Sequence, residues 1–350
     1  LQVVPVGDLD RSTYIGGGAI AAIIGISPWA TPLDQYMKMI QGEEPISPEK
    51  AKFFRNRKDQ EPIIAKRLER EYGVVVTKLS LDEHPNRYQD AEYSFMAAEI
   101  DFEFEMSEAV RQNFPGRPDF AAIPDGTLCN GEIKTVHPFA ASNWGEQGSE
   151  DLPIEYAAQC MWGLGITHRP ACLVGALFGI DALVCFPVMA DQETIAGMRA
   201  KAVTFWTENV LKEIPPDPIN VDDVVKLYAG FKGKPVQLSD EAYEALRSLD
   251  VLRKTIAAHE NDKGELEWRI ARCVAMQWGS ELISTDKGKP ILSAAENAIL
   301  LYSGTQAGTW NRQSRAGIDV PRLRAEQPKI AEAYATESQF RVIRLKKAKK

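Results

Sequence analysis

Histidine and cysteine are scarce. The 350-residue chain has 4 histidines, all isolated, and 5 cysteines, Cys129, Cys160, Cys172, Cys185 and Cys273, scattered and odd in number. No Cys-x-x-Cys occurs. This usage excludes a disulfide scaffold and a structural zinc site, and it gives a Cys or His nucleophile no local support. Long apolar runs are also missing, so no segment reaches the length needed to span a bilayer, and no signal-peptide pattern follows Leu1. The expectation is a reduced, cytosolic protein with no membrane partner. Positive charge is the minority sign: 41 Lys and Arg stand against 49 Asp and Glu, a net charge of −8. That excludes a protein that coats nucleic acid indiscriminately, though not one whose basic residues line a single groove.

What is present is an ordinary globular composition, 44% hydrophobic, in a chain long enough for about two domains. Positive charge clusters in "FRNRK", Phe54 to Lys58, continuing to Lys66, Arg67 and Arg70, and in the tail "RVIRLKKAKK", Arg341 to Lys350. "GGGAIAAIIGISPW" reads as a short buried helix broken at Ser27-Pro28. "TPLDQYMKMIQG" reads as a helix with Thr31 as N-cap, Pro32 first and Gly42 as stop. "EPIIAKRLEREYG" is a second helix with Ile64, Leu68 and Tyr72 on its buried stripe. Strands are expected near 74–79, 95–104 and around 116–136, then a helix in "PIEYAAQCMWGLG", two strands in "ACLVGALFG" and "ALVCFPV", and a long helix from Asp191. This order predicts a mixed sheet flanked by helices. The Pro/Asp-rich stretch 215–223 closes a first domain, 1–214; a linker, 215–237, leads to a mainly helical domain, 238–350, with short strand-like pieces "AILLYSG" and "FRVIRL" and the basic tail. "ENDKGE" is expected to fold the helical stretch back into a hairpin.

"GRPDFAAIPDGTLCNGEIKTV", residues 116–136, carries charge where its strand pattern wants core. Asp125-Gly126 is a strong two-residue hairpin signal. A loop there sets Asp119 opposite Glu132, with Lys134 on the same face. Two facing carboxylates repel, so a cation between them is expected, and oxygen ligands favour Mg²⁺. Glu132 is the one acidic residue of the chain with lysine two positions on.

With its neighbours, this stretch resembles the YqaJ-like viral recombinase family, relatives of phage lambda exonuclease among the PD-(D/E)xK nucleases. The resemblance rests on "DRSTYIGGGAIAAIIGISPWATP", "NRKDQEPIIAKRLEREYG", "GRPDF…GEIKTV" and "LPIEYAAQCMWGLGI", in that order, over about residues 10–215, with a tail like that of longer members. It implies an α/β fold, the restriction-endonuclease-like PD-(D/E)xK core of a mixed sheet flanked by helices, with a mainly helical C-terminal region. It implies Mg²⁺-dependent hydrolysis of DNA, with Mn²⁺ able to substitute, as a 5′-to-3′ double-strand exonuclease of phage recombination. Asp119, Glu132 and the Ile133 carbonyl would hold metal, Lys134 would orient the attacking water, and Glu61 and Gln159 would complete the catalytic set. Arg11 and Ser27 would contact the DNA, Arg11 at a 5′-phosphate. The partners implied are DNA, a single-strand annealing protein and further copies in a ring trimer, in the cytoplasm of a bacterial host.

Two departures stand out. Gly163 replaces the tyrosine that often follows the glutamine, and "FMAAEIDFEF" resembles the strand that carries the metal aspartate in many relatives, which would make Asp101 the ligand. Asp119 is preferred here because it faces Glu132 across the inferred turn. The alternative activities are an endonuclease on the same core and a silent protein that binds DNA or a partner, though the complete Asp, Glu and Lys set speaks against silence.

Overall fold

The computed structural model describes residues 4–5, 10–42, 45–81, 86–228, 235–277, 282–284, 290–292, 298–310 and 320–333. The chain divides into two units, residues 1–229 and 230–350. Among the described residues no helix is long and apolar enough to cross a membrane.

The first unit opens with β1 (Val4–Pro5), a 3₁₀ turn at Arg11–Thr13 and α1 (Gly17–Ile23). In α2 (Pro32–Gln41) the start signals do what their chemistry allows. The Thr31 hydroxyl accepts from the Asp34 N–H at 3.1 Å, and the Asp34 carboxylate accepts from the Thr31 N–H at 3.0 Å. α3 (Pro48–Lys58) starts on a Ser47 cap with Pro48 first but has no buried stripe, so apolar periodicity does not reveal it; α4 (Glu61–Tyr72) follows it and buries Ile64 and Leu68. Next come β2 (Val76–Leu79), β3 (Arg87–Gln89), β4 (Ala97–Glu99), β5 (Phe102–Glu105), α5 (Glu108–Arg111), α6 (Pro118–Ala121), β6 (Leu128–Val136), α7 (Ile154–Thr167), β7 (Ala171–Phe178), β8 (Ala182–Met189) and α8 (Gln192–Thr204). After α8 the chain widens into a π-helical stretch, Phe205–Val210, and then forms α9 (Val221–Leu227).

The main sheet has the order β2-β5-β6-β7-β8, with β6 and β7 parallel and the other pairs antiparallel. It is the mixed α/β sheet expected from the element order. β7 is apolar on both faces because both are covered. Leu173 and Leu177 join a core with Ile64 and Leu68 of α4, while Cys172, Val174 and Ala176 join one with Cys160 and Leu164 of α7. A smaller sheet, β1-β3-β4, lies beside α7, where Trp162 donates to the Ala97 carbonyl at 2.9 Å.

The expected hairpin over 116–136 is not formed. Pro118-Asp119 begins the short helix α6, and β6 pairs with β5 on one side and β7 on the other. Of the Asp125-Gly126 pair, only Gly126 takes a positive φ, 74°, so the turn leads from helix to strand and is not the type I′ loop of a hairpin. Gly131 meets a different demand. A Cβ there would lie 2.2 Å from the Phe102 ring, which is fully buried in the core. Gly131→Ala is therefore expected to cost about 1–3 kcal/mol by overpacking, read as a lower midpoint in urea, and a midpoint equal to wild type would contradict this packing.

The first unit runs past the boundary at 214 that the sequence suggests. Asp223 is fully buried, accepting from the Thr31 hydroxyl at 2.8 Å and the Ile219 N–H at 3.1 Å, and Lys226 pairs with Asp34 at 2.5 Å. These bonds tie α9 to the start of α2, so the Pro/Asp-rich stretch is an anchored segment. In the second unit α10 (Asp240–Gln277) is one unbroken helix of 38 residues where the sequence suggests a helical hairpin. The short hairpins β9 (Leu282–Ser284) with β10 (Pro290–Leu292) and β11 (Ala298–Tyr302) with β12 (Thr305–Trp310) follow, then α11 (Val320–Glu326) and α12 (Pro328–Ala333). "FRVIRL" and the basic tail lie outside the described residues.

Candidate active site

The sheet beside α7 carries a row of polar groups. β5 pairs with β6 so that Phe102 stands opposite Gly131; Asp101 directly precedes Phe102 and Glu132 directly follows Gly131, close enough for the Asp101 carboxylate to act on Glu132. Asp101 occupies the step between β4 and β5, and its Oδ2 accepts the Ile133 N–H at 2.8 Å. That bond takes up a backbone donor where the β5 ladder ends, and it pins the carboxylate to β6.

Glu132 is only 5% exposed. Its Oε1 accepts from Lys134 Nζ at 2.5 Å and from Gln159 Nε2 at 2.6 Å, while Lys134 also donates to Gln159 Oε1 at 3.0 Å. The three side chains close a triangle in which both hydrogen-bonding ends of one amide are used. α7 supplies Gln159, and α1 packs against it: a Cβ on Gly17 would come within 3.1 Å of Gln159 Cγ. The Lys134 ammonium also lies 4.9 Å from the centre of the Tyr156 ring, which neighbours the rings of Trp29 and Trp144 at 5.9 and 5.5 Å. Gly163 sits against Ile100; a Cβ there would stand 3.1 Å from Ile100 Cδ1, so a larger side chain would press on the segment that delivers Asp101.

Charge is crowded here. Burial pushes the Glu132 carboxyl up, and the neighbouring Asp101 pushes it further, against the pull of Lys134. Burial acts to lower the Lys134 ammonium, but Glu132 and Asp101 outweigh it and its value is raised. Glu61, the first residue of α4, is pushed up to about 7 by burial and by the Asp101 charge, with Lys58 opposing. Lys58 Nζ pairs with Glu61 Oε2 at 2.8 Å. Glu61 and Glu132, each raised by burial and by the Asp101 charge, make with Asp101 a site that a cation would stabilise.

The structure brings Glu132, Lys134 and Gln159 into contact, sets Ile133 against Asp101, and leaves Glu61 within reach of the Asp101 charge. It does not bring Asp119. That residue lies in the first turn of α6, with Arg117 Nη2 at 2.6 Å and Nε at 3.0 Å, and the Arg117 hydrogen bond holds its carboxyl below the usual range. Arg117 also binds Glu150 at 2.6 Å and the Pro187 carbonyl at 2.8 Å, so Asp119 belongs to a peripheral clamp. An aspartate does lie beside Glu132, but it is Asp101, at the head of the neighbouring strand. Arg11 is exposed on its 3₁₀ turn, and the Ser27 hydroxyl accepts from the Trp29 N–H at 3.2 Å; neither has a described contact with the carboxylates. In the sequence Lys58 is only one member of a basic cluster. Its spacing of three residues from Glu61 is the signal that could have singled it out.

Asp101, Glu132 and the Ile133 carbonyl are all oxygen donors, the type a hard cation takes. Among the described residues no three Asp, Glu, His or Cys side chains stand as a ready-made metal cage. A pair of carboxylates is a donor set that suits Mg²⁺, which keeps several waters and is commonly held by one or two carboxylates together with substrate phosphate.

Residues 9–170, which carry every side chain of this cluster, match the model of the YqaJ-like viral recombinase domain. The chain is similar along 95% of its length to the uncharacterized protein YqaJ of Bacillus subtilis (strain 168), 22% identical over 342 residues that make up 91% of that protein. Among solved structures it is similar to an alkaline exonuclease (LHK-Exo) from Laribacter hongkongensis, 15% identical, with 63% of this chain and 94% of that one covered at a TM-score of 0.41. It is also similar to a phage related exonuclease from Haemophilus somnus 129PT, 10% identical, with 57% and 96% covered at a TM-score of 0.36.

Proposed function

We propose that the chain is a divalent-cation-dependent deoxyribonuclease that digests duplex DNA from its ends, in the setting of phage-type recombination. One observation carries this reading: Asp101, bonded to the Ile133 N–H, lies beside Glu132, while Lys134 and Gln159 bind Glu132. Neighbouring carboxylates with an adjacent lysine suit phosphodiester hydrolysis, in which negative charge grows on the phosphate oxygens.

Asp101, Glu132 and the Ile133 carbonyl are the residues to hold Mg²⁺, with Mn²⁺ able to replace it. When bound, the cation polarises the scissile phosphate and eases deprotonation of water. Lys134 places a fixed positive charge beside the reacting phosphate, and Gln159 holds that ammonium in one direction. Glu61, whose carboxyl is pushed up to about 7, can take up a proton from the reaction. Arg11 and Ser27 are the candidate contacts to a 5′-phosphate end. The place of action expected for such a protein is the bacterial cytoplasm, with a single-strand annealing protein as partner and a ring trimer as assembly.

The test is digestion of linear and covalently closed circular duplexes with Mg²⁺, with and without a 5′-phosphate. Loss of linear DNA alone, faster with the phosphate, is the expected result. Nicking or linearisation of the circle would replace the exonuclease reading with an endonuclease, and intact DNA in every lane would leave a binding protein.

Glu61 also makes stability depend on pH. Its carboxyl has a reference value of 4.5 and a folded value of about 7. Between these values the folded state holds more protons, so stability is greatest below about 4.5 and falls as pH rises through about 7. Mg²⁺ should recover part of the loss. The melting point in EDTA is expected to fall from about pH 5.5 to about pH 8, and the increase on adding Mg²⁺ is expected to be larger at the higher pH. An equal Mg²⁺ increase at both would contradict a cation site close enough to act on this carboxylate.

A further inference from the structure

α10 is far longer than a surface helix needs to be, and its seam is uncovered. Leu252, Ile256, Leu266 and Ile270 are each between 47 and 59% exposed. Their order is not the loose periodicity of a helix lying on a domain. Read in heptads, one seam position falls on Ala242, Leu249, Ile256, Lys263 and Ile270, and the other on Ala245, Leu252, His259, Leu266 and Cys273. Eight of these ten positions are Ala, Leu, Ile or Cys, and the two exceptions are His259 and Lys263. A repeat of 3.5 keeps one stripe in line only if the helix supercoils around another helix, so the pattern asks for a helical partner of equal length.

We propose that the partner is the α10 of a second copy of this chain, running antiparallel. The charges decide the direction. In a parallel pair Lys263 would face Lys263 of the other copy, and Asp262 would flank Glu267, both repulsive. An antiparallel pair centred between Ala257 and Ala258 removes both conflicts. Leu249 then faces Leu266 of the other copy, and Lys263 faces Leu252, along which its methylenes can lie while the ammonium reaches water. In this register Arg253 of each copy also comes beside Glu260 of the other, an opposite-charge contact made twice, whereas in the parallel pair these residues meet Ser248 and Thr255. The sequence of α10 is thus complementary to itself reversed.

Cross-linking in the full-length chain tests this, because it reports the register of α10 whatever other contacts the protein makes. Leu249→Cys and Leu266→Cys are placed together in a Cys273→Ala background and treated with a short bis-maleimide. The expected product is a covalent dimer whose linked peptides join position 249 of one copy to position 266 of the other. Either cysteine alone should give little dimer, since two copies of one position lie about 25 Å apart along an antiparallel pair. Charge reversal supplies the second arm: Arg253→Glu or Glu260→Arg alone should lower the cross-link yield several-fold, and the two together should restore it. Links of 249 to 249, links within one chain, no dimer from a protein that keeps its helical circular dichroism, or failure of the double reversal to restore yield would each overturn the proposal.

Discussion

Lys134→Ala and Glu132→Gln should each slow cleavage of linear duplex DNA by about a thousandfold or more, while duplex binding changes little; in the barrier this is about 4 kcal/mol. The two side chains act through one arrangement. The Lys134 ammonium is held between Glu132 and Gln159, so it cannot turn away from the position it serves. Removing it takes a charge from the reacting phosphate and leaves Glu132 buried beside Asp101 with no cation. Protonation of Glu132 would then relieve the repulsion and spoil it as a ligand. Glu132→Gln keeps the shape and removes the ligand charge directly. Single-turnover rates at saturating enzyme, with melting points to verify folding, separate these effects from loss of binding. A turnover within tenfold of wild type in either variant would remove Glu132 and Lys134 from the reaction.

Asp101→Asn should be as damaging as Glu132→Gln, whereas Asp119→Asn should leave the cleavage rate within a few-fold of wild type. Asp101 is fixed on Ile133 and lies beside Glu132, so its charge is available at the shared site. The Asp119 charge is spent on Arg117 in a pair that leaves its side chain 46% exposed, and such pairs contribute about 1 kcal/mol or less to stability. Measured side by side, a large loss in Asp119→Asn with an active Asp101→Asn would reverse the assignment.

The helices are legible where capping chemistry is explicit. Thr31, Pro32 and Gly42 mark α2, and the apolar runs of β7 and β8 mark two largely buried strands, β7 inside the sheet and β8 at its edge. Glu132-x-Lys134 points to the centre of the site, and an aspartate does lie beside Glu132. Which aspartate it is cannot be read locally. Asp125-Gly126 signals a hairpin loop that would select Asp119, but Pro118-Asp119 is equally a helix start, with proline in the first turn and an acid near the positive end of the helix. Only the tertiary pairing of β5 with β6 separates the two. The break expected in α10 fails for a local reason: one Gly264 costs about 1 kcal/mol against alanine, while Lys263–Glu267 and Arg269–Glu265 pairs at 3.6 and 3.1 Å brace the turns around it. Lys58 is legible only through its spacing of three residues from Glu61, and Tyr156 is not legible as a site residue, because its approach to Lys134 depends on how α7 meets β6.

The most direct measurement is anomalous diffraction from crystals of the wild-type protein soaked with Mn²⁺ and a short 5′-phosphorylated duplex whose terminal linkages are non-hydrolysable. The account predicts a manganese peak in contact with the carboxylates of Asp101 and Glu132, with the terminal phosphodiester against it. Manganese bound at Asp119, or no peak at Asp101 and Glu132 in a crystal that holds the duplex, would contradict it.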